Sequence, residues 1–201
     1  MLINKEYVKG CLNHVAHWAE SHGSDHEEYL GAGLFYYSLV YMLKARFCVC
    51  IGSGGGFVPR IMRQAQRDLA LEGARTILID ADEGPYGRPF WLPEDSYFRT
   101  SFPDVELIFG RSHDVALGEG AGWKIDYLHI DGDHSHEGSR QDFFDYKPLM
   151  APGGVITFHD TQGFQLPCRC TLDDIRADGH DVVEFPDAGA GFAVVKLRTS
   201  A

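Results

Sequence analysis

Two short segments carry residue types from which a reactive centre can be built. Asp131-Gly132-Asp133-His134 follows the apolar run 125–130, and His159-Asp160 follows the run 154–158. Paired strands lie about 4.8 Å apart, so if these two runs pair, Asp131 and Asp160 converge on one point. Two carboxylates with open positions beside them are hard oxygen donors, suited to Mg²⁺ or a similar ion that keeps several waters. The imidazole of His159 complicates that preference. If it ligates, it favours Mn²⁺, Fe²⁺, Ni²⁺ or Zn²⁺; if it points to the other face of its strand, it is a buried structural histidine. His134 is then the better candidate for a general base.

Other polar residues collect at the ends of further apolar runs. Gly52-Ser53-Gly54-Gly55-Gly56 follows the run 46–51, Asp80 ends the run 76–79, and Gly110-Arg111-Ser112 follows the run 105–109. In open α/β sheets ligands bind beyond the carboxyl ends of the strands. A glycine turn there lets the backbone approach a cofactor closely, although it can equally be a tight turn and nothing more. Asp80 stands where an adenosine-binding sheet needs an acceptor for two ribose hydroxyls, with Asp82 as a competing candidate. A carboxylate closing a strand is often a helix cap, a reading that suits one such position better than the whole set. The dinucleotide fingerprint wants a small residue three places after its second glycine. Here that place holds Phe57, and Tyr146 and Lys147 are adjacent where a Tyr-X-X-X-Lys dyad would separate them, so a nicotinamide-dependent oxidoreductase is the weaker alternative.

The elements that must position these residues are legible as periods. Tyr7, Val8, Cys11, Leu12, Val15 and Trp18 recur at helical spacing, which predicts an amphipathic helix over 5–20, and a second helix is expected over 30–44. After the glycines a helix is expected over 58–71. The runs 46–51, 76–79, 105–109, 125–130 and 154–158 read as strands alternating with helices. The runs 181–185 and 192–197, close together across a Pro- and Gly-containing turn, read as an antiparallel pair. The expected fold is α/β: a Rossmann-like, seven-stranded, mostly parallel sheet with an antiparallel last strand pair, helices on both faces and N-terminal helices. The expected organisation is one domain, with N-terminal helices over 1–45 and the core over 46–201. The irregular stretch 83–104 is long for a loop in a compact domain, which points to function. Its Tyr86, Phe90, Trp91, Tyr97 and Phe98 offer faces for sugar stacking, or else fill a hydrophobic lid or a dimer contact.

Bulk properties narrow the classes. The 201 residues carry 18 Lys and Arg against 29 Asp and Glu, a net charge of −11, with no basic cluster for a nucleic-acid backbone. The longest apolar stretch, 34–43, is far short of the roughly 20 residues of a membrane span. Lys5, Glu6 and Lys9 stand where a signal peptide needs an apolar core, so a cytoplasmic location is expected. Cys48 and Cys50 share a strand face and read as buried packing; Cys168 and Cys170 find no partner pair at zinc-finger spacing. His14, His17, His22 and His26 read as exposed polar positions and His129 as a buried core histidine, while His113 and His136 flank the site without an assigned role.

The segments YLHIDGDHSHEG and DFFDYKPLMAPGGVITFHDT resemble the class I S-adenosylmethionine-dependent O-methyltransferases of the macrocin O-methyltransferase type, which are similar in core to catechol O-methyltransferases. The resemblance covers residues 29–161, and its two-part metal motif is more specific than the glycine turn. It implies a divalent metal, Mg²⁺ or else Mn²⁺, on Asp131, His159 and Asp160, with His134 as the base and Asp131 beside it in catalysis. It implies S-adenosylmethionine on Gly52, Ser53, Gly54, Gly56, Asp80, Ser112 and Asp131. Three departures stand out: His159-Asp160 where two carboxylates are common, Cys50 where an acid is common, and Gly110-Arg111-Ser112 after the third strand, which leaves adenine to Ser112 and backbone groups. The implied reaction is in-line methyl transfer to a hydroxyl of a small-molecule or oligosaccharide substrate, with members acting on sugars of actinobacterial natural products and polysaccharides, methylated mannosides among them, the most similar. A homodimer is implied likewise. A non-enzymatic alternative, a cofactor-binding module that has lost catalysis, draws on Cys50 and His159; Asp131, His134 and Asp160 speak against it.

Overall fold

The computed structural model describes residues 4–14, 16–25, 29–81, 88–162 and 166–198. Seven strands, β1 (Phe47–Ile51), β2 (Arg75–Asp80), β3 (Glu106–Phe109), β4 (Ile125–Ile130), β5 (Met150–His159), β6 (Asp181–Phe185) and β7 (Phe192–Lys196), form one sheet in the order β3-β2-β1-β4-β5-β7-β6. The first five are parallel, and β7 runs antiparallel to both β5 and β6. The expected topology is therefore the observed one. β5 starts earlier than its apolar run, at Met150, because the ladder with β4 jumps from the pair Ile125 and Met150 to the pair Tyr127 and Val155. Gly153, at φ +81°, takes up the intervening chain.

Alternation along each strand divides the core in two. Cys48 and Cys50 of β1 face one layer with Leu78 and Tyr127, under α2 (Ala32–Leu43), α3 (Phe57–Asp68) and the N-terminal segment. Val49 and Ile51 face the other with Ile77, Ile79, Leu128 and Ile130, under α5 (Ser112–Leu117), α6 (His136–Tyr146) and α7 (Leu166–Ala177). Both cysteine thiols are buried, as their spacing predicts. The stretch after residue 88 contributes one short helix, α4 (Tyr97–Ser101).

The N-terminal helix departs from expectation. α1 covers Lys5–Tyr7, one π-helical stretch continues it over Val8–Leu12, and the chain then turns. The cause is Asn13, a buried amide that donates to the carbonyls of Asp25 and Tyr29 (3.0 and 3.3 Å) and accepts from the Ser24 hydroxyl (3.1 Å). Such side-chain bonds compete with the helix ladder. Trp18 follows at φ +65° and is exposed, and a 3₁₀ turn spans Ala19–His22. Val8 and Leu12 of the expected apolar face are buried, whereas Trp18 is exposed and Ala16 and Ala19 are buried in its place, so the helical period does not continue past the break.

The broken segment lies on the glycine turn. A side chain at Gly55 would strike the His17 carbonyl at 1.9 Å, and one at Gly54 would meet the Trp18 ring at 3.0 Å. Arg60 of α3, itself buried, ties the two together by donating to the carbonyls of His14, Gly55 and Gly56 (2.8, 3.2 and 3.0 Å). Burial pulls its pKa down to about 10, which leaves it charged at neutral pH. Arg60→Leu leaves three inward carbonyls without their donor. It is expected to lower the unfolding free energy in urea at pH 7 by about 3 kcal/mol, and an unchanged denaturation midpoint would refute this role.

Candidate active site

β4 and β5 lie side by side in the register His129 to Thr157 and Ile130 to Phe158. By alternation, Tyr127, His129 and Asp131 of one chain segment and Thr157 and His159 of the other face the N-terminal layer. The result is a polar stripe in a buried face. Thr157 Oγ1 bonds both the Tyr127 hydroxyl (3.0 Å) and His129 Nδ1 (2.7 Å), and the stripe then reaches Asp131 and His159. Asp160, at φ +54°, adopts the left-handed conformation that Asp tolerates better than most residues. Its carboxylate stands beside His159, with Oδ2 3.1 Å from Nδ1.

Asp131 is the hub of this cluster. Its Oδ1 lies 3.1 Å from His159 Nδ1 and 3.6 Å from His134 Nε2; its Oδ2 lies 3.9 Å from His22 Nε2 and 3.8 Å from His129 Nε2. His134 Nε2 is also 3.2 Å from Asp160 Oδ2. Two sets, His22, Asp131, His159 and Asp131, His134, Asp160, bring their ligand atoms within 4.8 Å of one another. Burial alone would raise the Asp131 pKa, but His159 above all, with His129 and His134, holds it well below the ordinary carboxylate range. Burial would likewise lower that of His159; the charge of Asp131 and its bonds to Asp131 and Asp160 win and push it up to about 10. Burial dominates at His22 and His129, whose pKa values fall, so both rings stay neutral. At His134 the pull of Asp131 and Asp160 exceeds burial and raises the value.

The remaining predicted residues divide. Ser53 and Asp80 meet at the sheet edge, the Ser53 N–H donating to Asp80 Oδ2 at 3.2 Å, and the Trp91 indole donates to the same oxygen at 3.3 Å. Burial raises the Asp80 pKa. Gly52, at φ +72°, packs so closely that a Cβ would lie 2.3 Å from the Asp131 carbonyl, which seats the glycine turn directly on the loop after β4. Gly56, at φ +70°, packs against Phe98 and is shaped by that contact. Ser112 caps no cofactor-facing turn freely, because its hydroxyl donates to Asp142 of α6. Asp142 in turn stands next to Gly132, so Ser112 still borders the Asp131 loop. Asp133 accepts from the Ser135 N–H and forms the turn into α6. Cys50 fills the place of an expected acid as a buried thiol bonded to the Gly52 carbonyl (3.2 Å). Asp82, Tyr86 and His26 lie outside the described residues.

Two expectations are corrected. His22 is not an exposed polar residue: its ring is buried and stacked on His159, with centroids 3.8 Å apart and planes 27° from parallel, and its Nδ1 meets the Tyr36 hydroxyl at 3.1 Å. The adjacent Ser21 carbonyl lies 3.0 Å from His159 Nε2. His129 is buried as expected but belongs to the site, and among the described residues its Nε2 has no hydrogen-bond partner. Of the aromatics after residue 88, Trp91 and Phe98 are core residues, while Phe90 is 48% exposed and stacks on His17. His113 and His136 form surface pairs with Asp145 and Asp174. Sequence reasoning missed Ser21 and Asp142, read His22 as exposed, and offered Trp91 for sugar stacking, a lid or a dimer contact and not as a donor to Asp80; only the position of Asp142 beside Phe143 and one turn before Tyr146 on a core helix hints that it is buried.

A family model described as a methyltransferase domain matches residues 49–161, more than half of the chain, and the chain belongs to that family. Among solved structures, a putative O-methyltransferase from Klebsiella pneumoniae superposes with a TM-score of 0.70 at 15% identity, over 94% of this chain and 90% of that one. The O-methyltransferase from Bacillus cereus in complex with SAH gives 0.62 at 19% identity, over 81% and 79%. The O-methyltransferase TomG from Streptomyces achromogenes, involved in tomaymycin synthesis and solved with SAM, gives 0.61 at 16%, over 81% and 78%. At these identities the shared property is the fold. The uncharacterized protein y4gI of Sinorhizobium fredii is 31% identical over 146 residues, which is 68% of this chain; the chain spans 15% of that curated relative's length. Among the described residues no helix is long and apolar enough to cross a membrane.

The Ser112 to Asp142 link makes a pH test of this mouth. Burial pushes the Asp142 carboxyl up to about 7, with Asp133 and Asp145 adding and the Ser112 bond opposing. An Asp in the unfolded chain titrates near about 3.9, so the folded state holds the extra proton between those values. Its stabilising contribution is full below about pH 4 and is lost as pH rises through about 7. Asp142→Asn should therefore gain stability relative to the parent from pH 5 to pH 8, by at most about 3 kcal/mol. Urea midpoints of the two proteins that stay parallel across that range would refute the buried carboxyl.

Proposed function

We propose that this member of the methyltransferase-domain family transfers a methyl group from S-adenosylmethionine to a hydroxyl of a sugar, with a divalent cation at Asp131, His159 and Asp160. The observation that carries the reading is the convergence of those three side chains, with His134 beside them, beyond the carboxyl ends of β4 and β5. The donor chemistry fits a cation, since two buried carboxylates face each other's neighbourhood with ring nitrogens between them. Cofactor chemistry fits the opposite rim, where Asp80 beside Ser53 and Gly52 offers a half-buried acceptor for ribose hydroxyls and Ser112 borders the place for adenine.

S-adenosylmethionine supplies a methyl group already activated on a sulfonium, so the protein's task is to align an oxygen with it and exclude water. A divalent cation lowers the pKa of a hydroxyl that it holds. His134, on the loop after β4 and 18% exposed, is placed to receive the hydroxyl proton at its imidazole. It must be neutral to do so, and neutralising Asp131 and Asp160 relieves the pull that these carboxylates exert on its own proton. Asp131 orients His134, and Gly52 packs on the Asp131 backbone, so cofactor rim and metal rim are joined by direct contact.

Two neighbouring hydroxyls chelate a cation better than one, which favours a sugar or a catechol, and between these a mannoside of a methylated polysaccharide is the class the family resemblance favours. A cavity of about 240 Å³ opens next to the glycine turn, and its lining includes no residue of the Asp131 cluster. It is lined by His17, Phe90, Asp95 and Tyr97 among others, pairing aromatic faces with a carboxylate.

Calorimetry with S-adenosylhomocysteine, and NAD⁺ as the control, tests the cofactor class: saturable binding of the first without the second is expected, and no S-adenosylhomocysteine binding under any metal condition sinks the reading. Asp131→Ala should abolish methyl transfer to mannosides while S-adenosylhomocysteine affinity changes little, whereas equal loss of both contradicts the metal assignment. His134→Ala should cut turnover by about 10²-fold or more with cofactor affinity retained, and a fully active variant removes it as the base.

A further inference from the structure

We propose that the cation site selects a transition ion of the Mn²⁺ to Zn²⁺ series over Mg²⁺, through Nδ1 of His159 held in its ligating tautomer by the backbone carbonyl of Ser21. This rests on the reading above for the presence of a cation; the selectivity and the orienting group come from the geometry of this chain.

The nitrogen is placed as a ligand. His159 Nδ1 lies 3.1 Å from Asp131 Oδ1 and 3.1 Å from Asp160 Oδ2. Donors about 2.1 Å from a shared ion stand about 3.0 Å apart at a right angle and about 3.4 Å apart at the tetrahedral angle. The other ring nitrogen fixes the tautomer. Nε2 is 3.0 Å from the Ser21 carbonyl, which can only accept, so Nε2 keeps its hydrogen, and Nδ1, 3.1 Å from both carboxylates, is the nitrogen that would give up its own hydrogen to a cation held there. A hydrogen bond from the distal ring nitrogen to a backbone carbonyl is the usual outer shell of a ligating histidine. Stacking against His22 and burial to 1% exposure hold the ring in that orientation.

The orienting carbonyl is itself braced. Ser21 O also accepts from the Ala190 N–H at 2.6 Å, and Gly189 packs so tightly that a Cβ there would lie 2.1 Å from it. Ser21 belongs to the 3₁₀ turn Ala19–His22, outside the residues 49–161 of the family match. The core thus supplies the ligands and the N-terminal segment supplies the group that aims one of them. Imidazole suits Fe²⁺, Ni²⁺ and Zn²⁺, with Co²⁺ between Fe²⁺ and Ni²⁺ in the affinity order and Mn²⁺ the weakest of the series, whereas Mg²⁺ demands near-octahedral oxygen and holds its waters.

The test is titration of chelator-treated protein with Co²⁺, read by its visible absorption, followed by competition with Zn²⁺ and Mg²⁺. A saturable Co²⁺ spectrum that Zn²⁺ displaces, and that Mg²⁺ in ~100-fold excess displaces by less than half, is expected. His159→Asp, an all-oxygen site, should narrow the Co²⁺ over Mg²⁺ preference by ~10-fold or more. Gly189→Ala changes no ligand but displaces the Ser21 carbonyl, and should weaken Co²⁺ binding by ~10- to 100-fold. Displacement of Co²⁺ by an equal concentration of Mg²⁺, or a preference that His159→Asp leaves intact, overturns the proposal. The wild-type competition decides it even if Gly189→Ala fails to fold. S-adenosylhomocysteine binding on the same samples separates the two readings: binding without a Co²⁺ spectrum overturns the metal inference alone, and absence of both removes the methyl-transfer reading as well.

Discussion

A carboxylate buried at the end of a central strand is the constraint around which this molecule is arranged. Asp131 is 11% exposed in its side chain and Asp160 12%, and an uncompensated charge so placed is costly. Compensation comes from four histidines that no single element could supply: His134 from the following loop, His129 from β4, His159 from β5 and His22 from the N-terminal segment. Two of these rings are held neutral by burial and two are pushed toward the charged form by the carboxylates. The negative charge that draws a proton onto His159 is the same charge that the proposed cation would answer. In that sense the electrostatics of the cluster and the chemistry proposed for it have one origin.

The route from sequence to this pocket runs through strand parity. Because side chains alternate, fixing Cys50, His129 and Thr157 in register also fixes Asp131 and His159 on the same face one step further on. The stripe Tyr127, Thr157, His129 would be expensive as isolated polar atoms in an apolar layer, and its mutual hydrogen bonds offset most of that cost. A buried stripe of this kind also resists slippage of β4 against β5, since a one-residue shift would turn it to the other face. The site is therefore precise because the sheet beneath it has one register.

How much of this was legible in the sequence follows from the range of each interaction. The seven strands, their order of appearance and the antiparallel ending are written in local periods, and the polar residues at strand ends mark the binding edge. Long-range partners leave no such trace. The contact of His159 with Ser21 joins residues 138 apart, and nothing near Ser21 or His22 distinguishes them from an exposed helix face. The break at Asn13 is a milder case: the expected face holds at Val8 and Leu12 and is lost by Trp18, and only the pull of the buried amide on the backbone at Ser24, Asp25 and Tyr29 reveals why the helix cannot continue. Asp142 is a charged residue inside a core face, a place where pattern reading expects solvent.

The glycine turn shows why motif and function need separate arguments. Gly52 is required by the Asp131 backbone, Gly55 by the His17 carbonyl and Gly56 by the Phe98 ring together with its positive φ, so the protein's own packing accounts for three glycines before any cofactor is considered. Such a run would persist in a protein that bound nothing. The informative residues are those whose placement packing does not require: a half-buried Asp80 aimed at the turn, and ring nitrogens facing two carboxylates. Yet the packing is not idle, because it presses the turn against the loop that carries Asp131 and, through His17 and Arg60, against the N-terminal segment that carries Ser21. A displacement of that segment would be felt at once by the cofactor rim and by the histidine it orients, which couples the two halves of the site through backbone contact.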